Sequence, residues 1–533
     1  MDASLETPGA TEPPVSPRRG RLARSTAFFS VATAASRVAG LVREIVAAGY
    51  FGISGPMSAF TIAFQVPNLI RSLFADAAIQ AAFVPIFTEQ LEKGNKREAF
   101  RLASTLIFFV TMALAVVTAL FVLLAPWLMP IFAPGFGGEL EGLTVALAQL
   151  LFPILVMLGT TGMVVGVLNS YDRFGAFAIS PFFWNVAIIA VLVALAPLFP
   201  EDDRIYAYAI GVLVGTAVQL LIPAFDLRNT PFRFTRHFDW RSPALRRVLL
   251  LMLPVTISLG LINFNLVINS FFGTLVSDQA PAAIDKAFRI YMLPQGIFSV
   301  AVATVLFPTL SRFAARGAHD DLRRTVANGM RQIVLLLAPA TAAILVLSEP
   351  MIRLVYQRGA FDAAQTDLVA VALFWFAFSL PFNGLFLLLT RTFFSLQRPW
   401  IPTAIAGVNL VVTALAALVL YAPFGVGGIV AATAIATAAS VVAQCTVLRL
   451  KLGGLELGRL AGVTARVGLA AVALAAVAFG IWDMLDSELG RSFAAQLVSL
   501  STALVAGTTV YLLAVRLLRV PEFEQIMRLV RRA

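Results

Sequence analysis

Six charged side chains stand where so apolar a chain should carry none. Arg37, Arg43 and Glu44 lie in SRVAGLVREIVAAGYFG (Ser36–Gly52), Arg71 and Asp76 in SAFTIAFQVPNLIRSLFADAAIQAAFVPIFTE (Ser58–Glu89), and Arg289 far downstream. An arginine at the centre of a membrane helix costs roughly 2.5–3.5 kcal/mol on insertion scales, so it calls for a compensating role. Three arginines in two consecutive apolar helices point to a polar cavity inside a bundle, facing an anion. A guanidinium fork matches phosphate oxygens, and a dry cavity strengthens the pairing. Arg37 and Arg43 are six residues apart, offset by about 120° round a helix and about 9 Å along it, so they line a wide groove rather than one tight spot. Glu44 and Asp76 temper the positive charge, and Ser36 and Ser58 add polar groups. The competing reading is that each arginine snorkels to a headgroup or closes an ion pair. Asp76 is a ready partner for Arg71. For Arg331 and Arg391, each near an expected cytoplasmic end, this plainer reading is preferred.

The rest of the chain reads as housing for that cavity. With 59% hydrophobic and 13% charged residues in 533 and a mean hydropathy of +0.86, the expectation is an all-α polytopic membrane protein rather than a soluble domain. Fourteen spans are expected, near 25–51, 57–90, 102–131, 142–169, 176–199, 205–226, 246–276, 281–312, 325–348, 364–395, 400–421, 425–448, 459–482 and 493–516. Residues 1–24, rich in Pro, Ser, Thr and Arg, read as a disordered basic cytoplasmic tail. Of the 40 Lys and Arg, only Arg204, Lys286, Arg353, Arg358 and Arg491 fall in segments expected outside. Arg37, Arg43, Arg71, Arg289, Arg331 and Arg391 fall in spans, and the other 29 lie inside. That bias supports an even span count with both termini cytoplasmic. The acidic outer segments (Glu201, Asp202, Asp203; Asp483, Asp486, Glu488) read as solvated loops.

An internal repeat accompanies the spans. Pro85, Gly94 and Arg101 recur as Pro308, Gly317 and Arg324, at an offset of 223; Ser170 and Arg173 recur as Ser395 and Arg398, at 225. Two parallel six-helix lobes follow, 25–240 and 241–452, with 453–533 adding two further transmembrane helices and a basic cytoplasmic tail. A parallel repeat places a substrate site between the halves near the midplane. Asn263, Asn265, Asn269 and Asn383 lie in spans 7 and 10. They suit either a candidate cation site (Asn265, Asn269, Asn383) or helix–helix hydrogen bonding, the commoner use. The single Cys445 allows no internal disulfide, and no Cys/His cluster suggests a metal.

These stretches carry a resemblance. SRVAGLVREIVAAGYFG with PNLIRSLFA, LPQGIFSVAVATVLFPTLSR (Leu293–Arg312) and RTFFSLQRPWIP (Arg391–Pro402) resembles the MurJ (MviN) lipid II flippases of the multidrug/oligosaccharidyl-lipid/polysaccharide exporter superfamily. The resemblance implies that Arg37, Arg43, Arg71 and Arg289 bind the diphosphate of the lipid. Its acidic positions fall on Glu44 and Asp76. Three other positions often acidic in the family are Ser58, Phe288 and Met292 here, which leaves the cavity more positive. The implied activity is transport of undecaprenyl-diphosphate-linked peptidoglycan precursor from inner to outer leaflet by alternating access, with the tail along a groove made by spans 13 and 14. No enzyme activity or cofactor is expected. Without a nucleotide-binding motif, an ion gradient (Na+ or H+) or the membrane potential drives net flux. The expected partners are the lipid-linked substrate and the bilayer, not nucleic acid, with the chain acting as a monomer beside cell-wall synthesis proteins. The alternatives are export of another lipid-linked oligosaccharide or a drug, and a membrane glycosyltransferase or polymerase. Four cavity arginines speak against a cation exporter, and the scattered outer carboxylates against an enzyme.

Overall fold

The computed structural model describes residues 17–74, 76–235 and 243–532; the side chains of 71–82 and 251–263 are among those outside the described set. The first span is α1 (Pro17–Phe51), which begins inside the stretch expected to be a disordered tail. Span 2 is divided into α2 (Gly55–Phe74) and α3 (Asp76–Glu92), each with an internal proline. α4 (Lys96–Phe132) follows, then α5 (Glu139–Leu151) and α6 (Ile154–Asn169), parted at Phe152–Pro153, then α7 (Gly175–Leu195) and α8 (Arg204–Leu227). The second copy runs through α9 (Pro243–Val276), α10 (Ala280–Pro294), α11 (Val300–Ala315), α12 (His319–Tyr356), α13 (Ala363–Ser395) and α14 (Trp400–Leu452). α15 (Leu457–Leu489), α16 (Phe493–Leu517) and α17 (Pro521–Arg532) close the chain.

Two interruptions carry structural meaning. Pro294 cannot donate a backbone N–H, and a π-turn at Gln295–Ser299 follows it and joins α10 to α11. α14 is 53 residues long and breaks at Gly425, whose φ is +56. Gly428 lies against the Leu420 carbonyl, and Asn409 bonds Ser440 (2.9 Å). The two limbs of α14 are therefore antiparallel, which makes it spans 11 and 12.

The repeat is visible in how helices end. The N–H of Asn95 reaches the Gln90 carbonyl (3.0 Å) around Gly94 (φ 78), and that of Ala318 reaches Phe313 (3.0 Å) around Gly317 (φ 65). Likewise Arg173 reaches Leu168 around Asp172 (φ 56), and Arg398 reaches Phe393 around Gln397 (φ 57). These are left-handed helix caps, which satisfy orphan carbonyls at the last turn. They recur at the offsets of 223 and 225 read in the sequence. The packing repeats too: α1 lies on α7 as α9 lies on the first limb of α14 and its neighbours.

The core is built of small and apolar residues, which lets helices approach closely where lipid supplies no hydrophobic drive. Gly159 and Gly215 show the tolerance: an added Cβ would lie 2.0 Å from Leu114 and 2.8 Å from the Trp184 carbonyl. The lipid-facing sides carry large exposed apolar residues, such as Trp127, Val305 and Leu513.

Candidate functional site

The two copies meet in a cluster of charge centred on Glu44. α1 carries Arg43 and Glu44 about 12 Å before its C-terminal end, taking 1.5 Å per residue to Phe51. α10 of the other copy brings Asp285, Lys286 and Arg289 against them. Glu44 Oε1 accepts from Arg43 Nη2 (2.5 Å) and lies 3.2 Å from Arg289 Nε. Its Oε2 accepts from Lys286 Nζ (2.7 Å). Asp285, one turn before Arg289, accepts from its Nε (3.0 Å) and Nη2 (3.4 Å). The Arg43 guanidinium stacks 4.6 Å from the centroid of Trp184 on α7, and Lys286 Nζ lies 5.7 Å from that of Tyr356 on α12. Three cations and two carboxylates are thus held where bare charge is costly, each paired.

The members differ in access. The Lys286 side chain is 0% exposed and that of Arg43 8%, whereas that of Arg289 is 36% exposed. The Nε and Nη2 of Arg289 are held by carboxylates, and about a third of its side chain stays open. A guanidinium held in part and open in part is suited to a bidentate contact with phosphate oxygens.

Of the residues singled out in the sequence, Arg43, Glu44 and Arg289 come together. Arg37 does not join them: it is exposed, on another face of α1, as the 120° offset requires. It crosses to the other copy at the π-turn, where a Cβ built on Gly296 would lie 3.3 Å from its Nη1. The side chains of Arg71 and Asp76 lie outside the described residues. Ser36 contributes its carbonyl, which accepts from Asn185 Nδ2 (3.4 Å). Ser58 is fully buried, and its Oγ accepts from the Ala282 N–H (3.2 Å).

Lys286 and Asp285 were missed by the sequence reading, and the first is a correction. Lys286 was counted among outer-segment charges, yet it is sealed between the copies. The available signal was its position in DKAFR, which places Asp285, Lys286 and Arg289 within about one turn of helix. Asp285 supplies a carboxylate to Arg289 although Phe288 and Met292 do not. Phe288 instead packs in an aromatic group with Tyr291 and Phe376.

Beyond this cluster, at the end that the arginine bias assigns to the outside, backbone N–H groups of each copy bond oxygens of the other. The Ala360 N–H donates to the Gly49 carbonyl (2.9 Å), the Ile53 N–H to Gln365 Oε1 (3.0 Å) and the Gly135 N–H to Thr274 Oγ1 (3.1 Å). Gly359 has φ +60, and an added Cβ would lie 2.3 Å from the Gly49 carbonyl oxygen. This end is closed.

The asparagines gather in a separate cavity of about 310 Å³ inside the second copy. Asn265 Nδ2 donates to Asn409 Oδ1 (2.9 Å), Asn269 Oδ1 accepts from Thr433 (3.1 Å), and Asn383 Nδ2 donates to the Tyr291 hydroxyl (2.5 Å). Its lining is uncharged. These contacts are the helix–helix hydrogen bonding named above. The side chain of Asn263 lies outside the described residues.

Two further arginines, Arg353 buried and Arg331 partly so, fasten α15. Arg353, expected in an outer segment, is 4% exposed, and its Nη2 donates to Asp486 Oδ1 (2.5 Å) with Trp482 beneath it. Asp486, read as part of a solvated loop, is thereby a buried partner on α15. At the opposite end Arg331 pairs with Glu522 of α17 and, at 3.3 Å, with Glu456. It closes an ion pair, as the plainer reading had it. Arg391 donates to Thr304 Oγ1 (3.0 Å). An apolar groove of about 960 Å³ opens between α12, α13, the second limb of α14 and α15, lined by Val334, Leu345, Leu385 and Val467 among others. Among the described residues, its lining comes from span 13 but not from α16, which corrects the expectation that both added helices form it.

Two parallel six-helix copies, closed at one end and joined by buried charge near the middle of the bundle, are the plan of a secondary transporter. Residues 47–506 match the model of a family described as lipid II flippase MurJ. The chain is 34% identical over 421 residues to a probable lipid II flippase MurJ of Rhizobium meliloti, covering 78% of each, and 31% identical over 419 residues to the lipid II flippase MurJ of Burkholderia cenocepacia, covering 76% of this chain and 80% of the other. The chain belongs to the MurJ family. A solved lipid II flippase MurJ in an inward closed conformation superposes with a TM-score of 0.76 at 21% identity, over 91% of this chain and 97% of that one. An inward-facing multidrug-resistance transporter of the MATE family gives 0.65 at 16%, over 79% and 95%. The fold is thus shared across transporters of different cargo.

Proposed function

We propose that this chain is a lipid II flippase, carrying the undecaprenyl-diphosphate-linked peptidoglycan precursor from the inner to the outer leaflet of the bacterial inner membrane for cell-wall synthesis. The observation that carries the reading is the half-open Arg289 guanidinium, fixed by Glu44 and Asp285 at the junction of the two copies. Arg289 takes the diphosphate first. Arg43, sealed against Trp184 in this state, joins as Glu44 gives way to the incoming anion. Arg37 and Arg71 extend the cationic wall toward the cytoplasmic side. The lobes are 25–240 and 241–452, and their relative rocking alternates access. Both termini are cytoplasmic, and 453–533 forms an appendage whose groove with α12 and α13 holds the polyprenyl tail. The chain works as a monomer beside cell-wall synthesis proteins. The membrane potential, at about 2.3 kcal/mol per charge per 100 mV, or an ion gradient drives flux. The uncharged asparagine cavity is the place to seek a coupling cation.

The test is rescue. A bacterium depleted of its own flippase should be saved from lysis by this gene, and precursor should cease to accumulate inside. Lysis at normal expression of the protein, with precursor still accumulating, would refute the reading. Rescue of drug resistance but not of wall synthesis would favour the drug-exporter alternative.

A further inference from the structure

The charge cluster contains a cation that no cargo can reach. Lys286 is fully buried and pairs with Glu44, 2.7 Å from its Oε2. The two arginines instead share Oε1. The carboxylate is thus divided: one oxygen faces groups that the cargo anion can compete for, and the other, among the described residues, pairs with the lysine. Glu44 belongs to the first copy and Lys286 to the second, so the bond ties the two lobes together. It lies just inside the contacts of the Gly49 carbonyl with the Ala360 N–H and of the Ser58 Oγ with the Ala282 N–H. Those contacts must part when the outer end opens.

We infer that Lys286 is the latch of the outer gate: a positioning residue that holds the outer end closed through Glu44 and is not itself a ligand of the cargo. The inference rests on the flippase reading only for what the gate releases.

The physical reason is desolvation. A carboxylate and an ammonium at this depth are stable only as a pair, because each alone would be a bare charge away from water. While the lobes are together, separating them is opposed by that cost. When a diphosphate takes Arg43 and Arg289, Glu44 loses two of its three cations. Lys286 then keeps the carboxylate neutralised through loading, so the gate stays shut until the lobes rock and water reaches both groups. A ligand shifts the equilibrium only by its differential affinity for the two states. The latch sets where that equilibrium starts.

The test uses full-length protein in lipid nanodiscs, with Cys445→Ser and spin labels at Asp202 and Ala364, exposed positions on the outer side of the two copies. In the parent without ligand, one short distance should dominate. Lys286→Met keeps the stem and removes the charge, and should raise a longer-distance population several-fold. Lys286→Arg should restore the parent distribution. Affinity for undecaprenyl diphosphate should change in Lys286→Met by less than about threefold, the scale of a modest population shift, against a much larger loss in Arg289→Ala. Unchanged distances in Lys286→Met would overturn the latch. An affinity loss as large as that of Arg289→Ala would make Lys286 a ligand instead. Should Lys286→Met not fold, Glu44→Gln tests the same bond from the other side and should lengthen the distance likewise. If undecaprenyl diphosphate fails to bind the parent while Lys286→Met still lengthens the distance, the latch stands and the cargo assignment falls.

Discussion

Replacing Arg289 by alanine should weaken binding of a diphosphate lipid by roughly 10- to 150-fold. The estimate starts from the five N–H groups of a guanidinium. Nε–H points at Glu44 and Asp285, and one Nη2 hydrogen at Asp285. The Nη1 pair and the second Nη2 hydrogen remain for the ligand. A hydrogen bond involving a charged group is worth about 1.5–3 kcal/mol net, and tenfold in affinity is about 1.4 kcal/mol. One such bond lost therefore gives the lower limit, about tenfold, and one strong bond the upper. Arg289→Lys should recover less than half of the loss in free energy, since an ammonium at that distance offers a point charge without the fork. The assay is equilibrium binding of undecaprenyl diphosphate to purified protein in nanodiscs, with thermal unfolding measured on the same samples to separate misfolding from lost contact. An Arg289→Ala protein that melts like the parent and binds within about threefold of it would refute the role given to Arg289 and the geometry behind it.

Three further outcomes follow from the same structure. Cysteines placed at Gly138 and Asp202 should react with an impermeant reagent from outside and one at Asn95 should not; the reverse pattern would invert the topology. Gly359→Ala should destabilise the closed outer end, because its φ of +60 disfavours a side chain and the new Cβ would meet the Gly49 carbonyl. An unchanged outer-end distance distribution in that variant would show the contact to be dispensable. Arg353→Met should lower stability by about 1.5–3 kcal/mol, the scale for a lost hydrogen bond between charged groups, since Asp486 would keep only a long contact to Arg491 (3.9 Å). Unaltered unfolding of this variant would mean that α15 is held by packing alone.

The sequence by itself determined a great deal here, for reasons that can be named. Hydrocarbon demands about twenty apolar residues per helix, so the spans were legible as lengths and compositions. The repeat was legible in the spacing of Pro85, Gly94 and Arg101, which recurs at Pro308, Gly317 and Arg324, because both copies end a helix at a left-handed glycine. Arg43 and Arg289 stood out because charge in so apolar a run is expensive. What sequence could not decide was which charges meet across copies that lie 242 residues apart, as Glu44 and Lys286 do. A lysine near the end of a span reads as an outer-segment charge by position. Only the approach of the α10 side chains to Glu44 of α1 makes it a buried counter-ion. The same holds for Arg353 and Asp486, which look like water-facing charges until α15 is laid on α12. Local pattern reports what each helix can tolerate; the partner that lets a helix keep a charge is supplied by the fold.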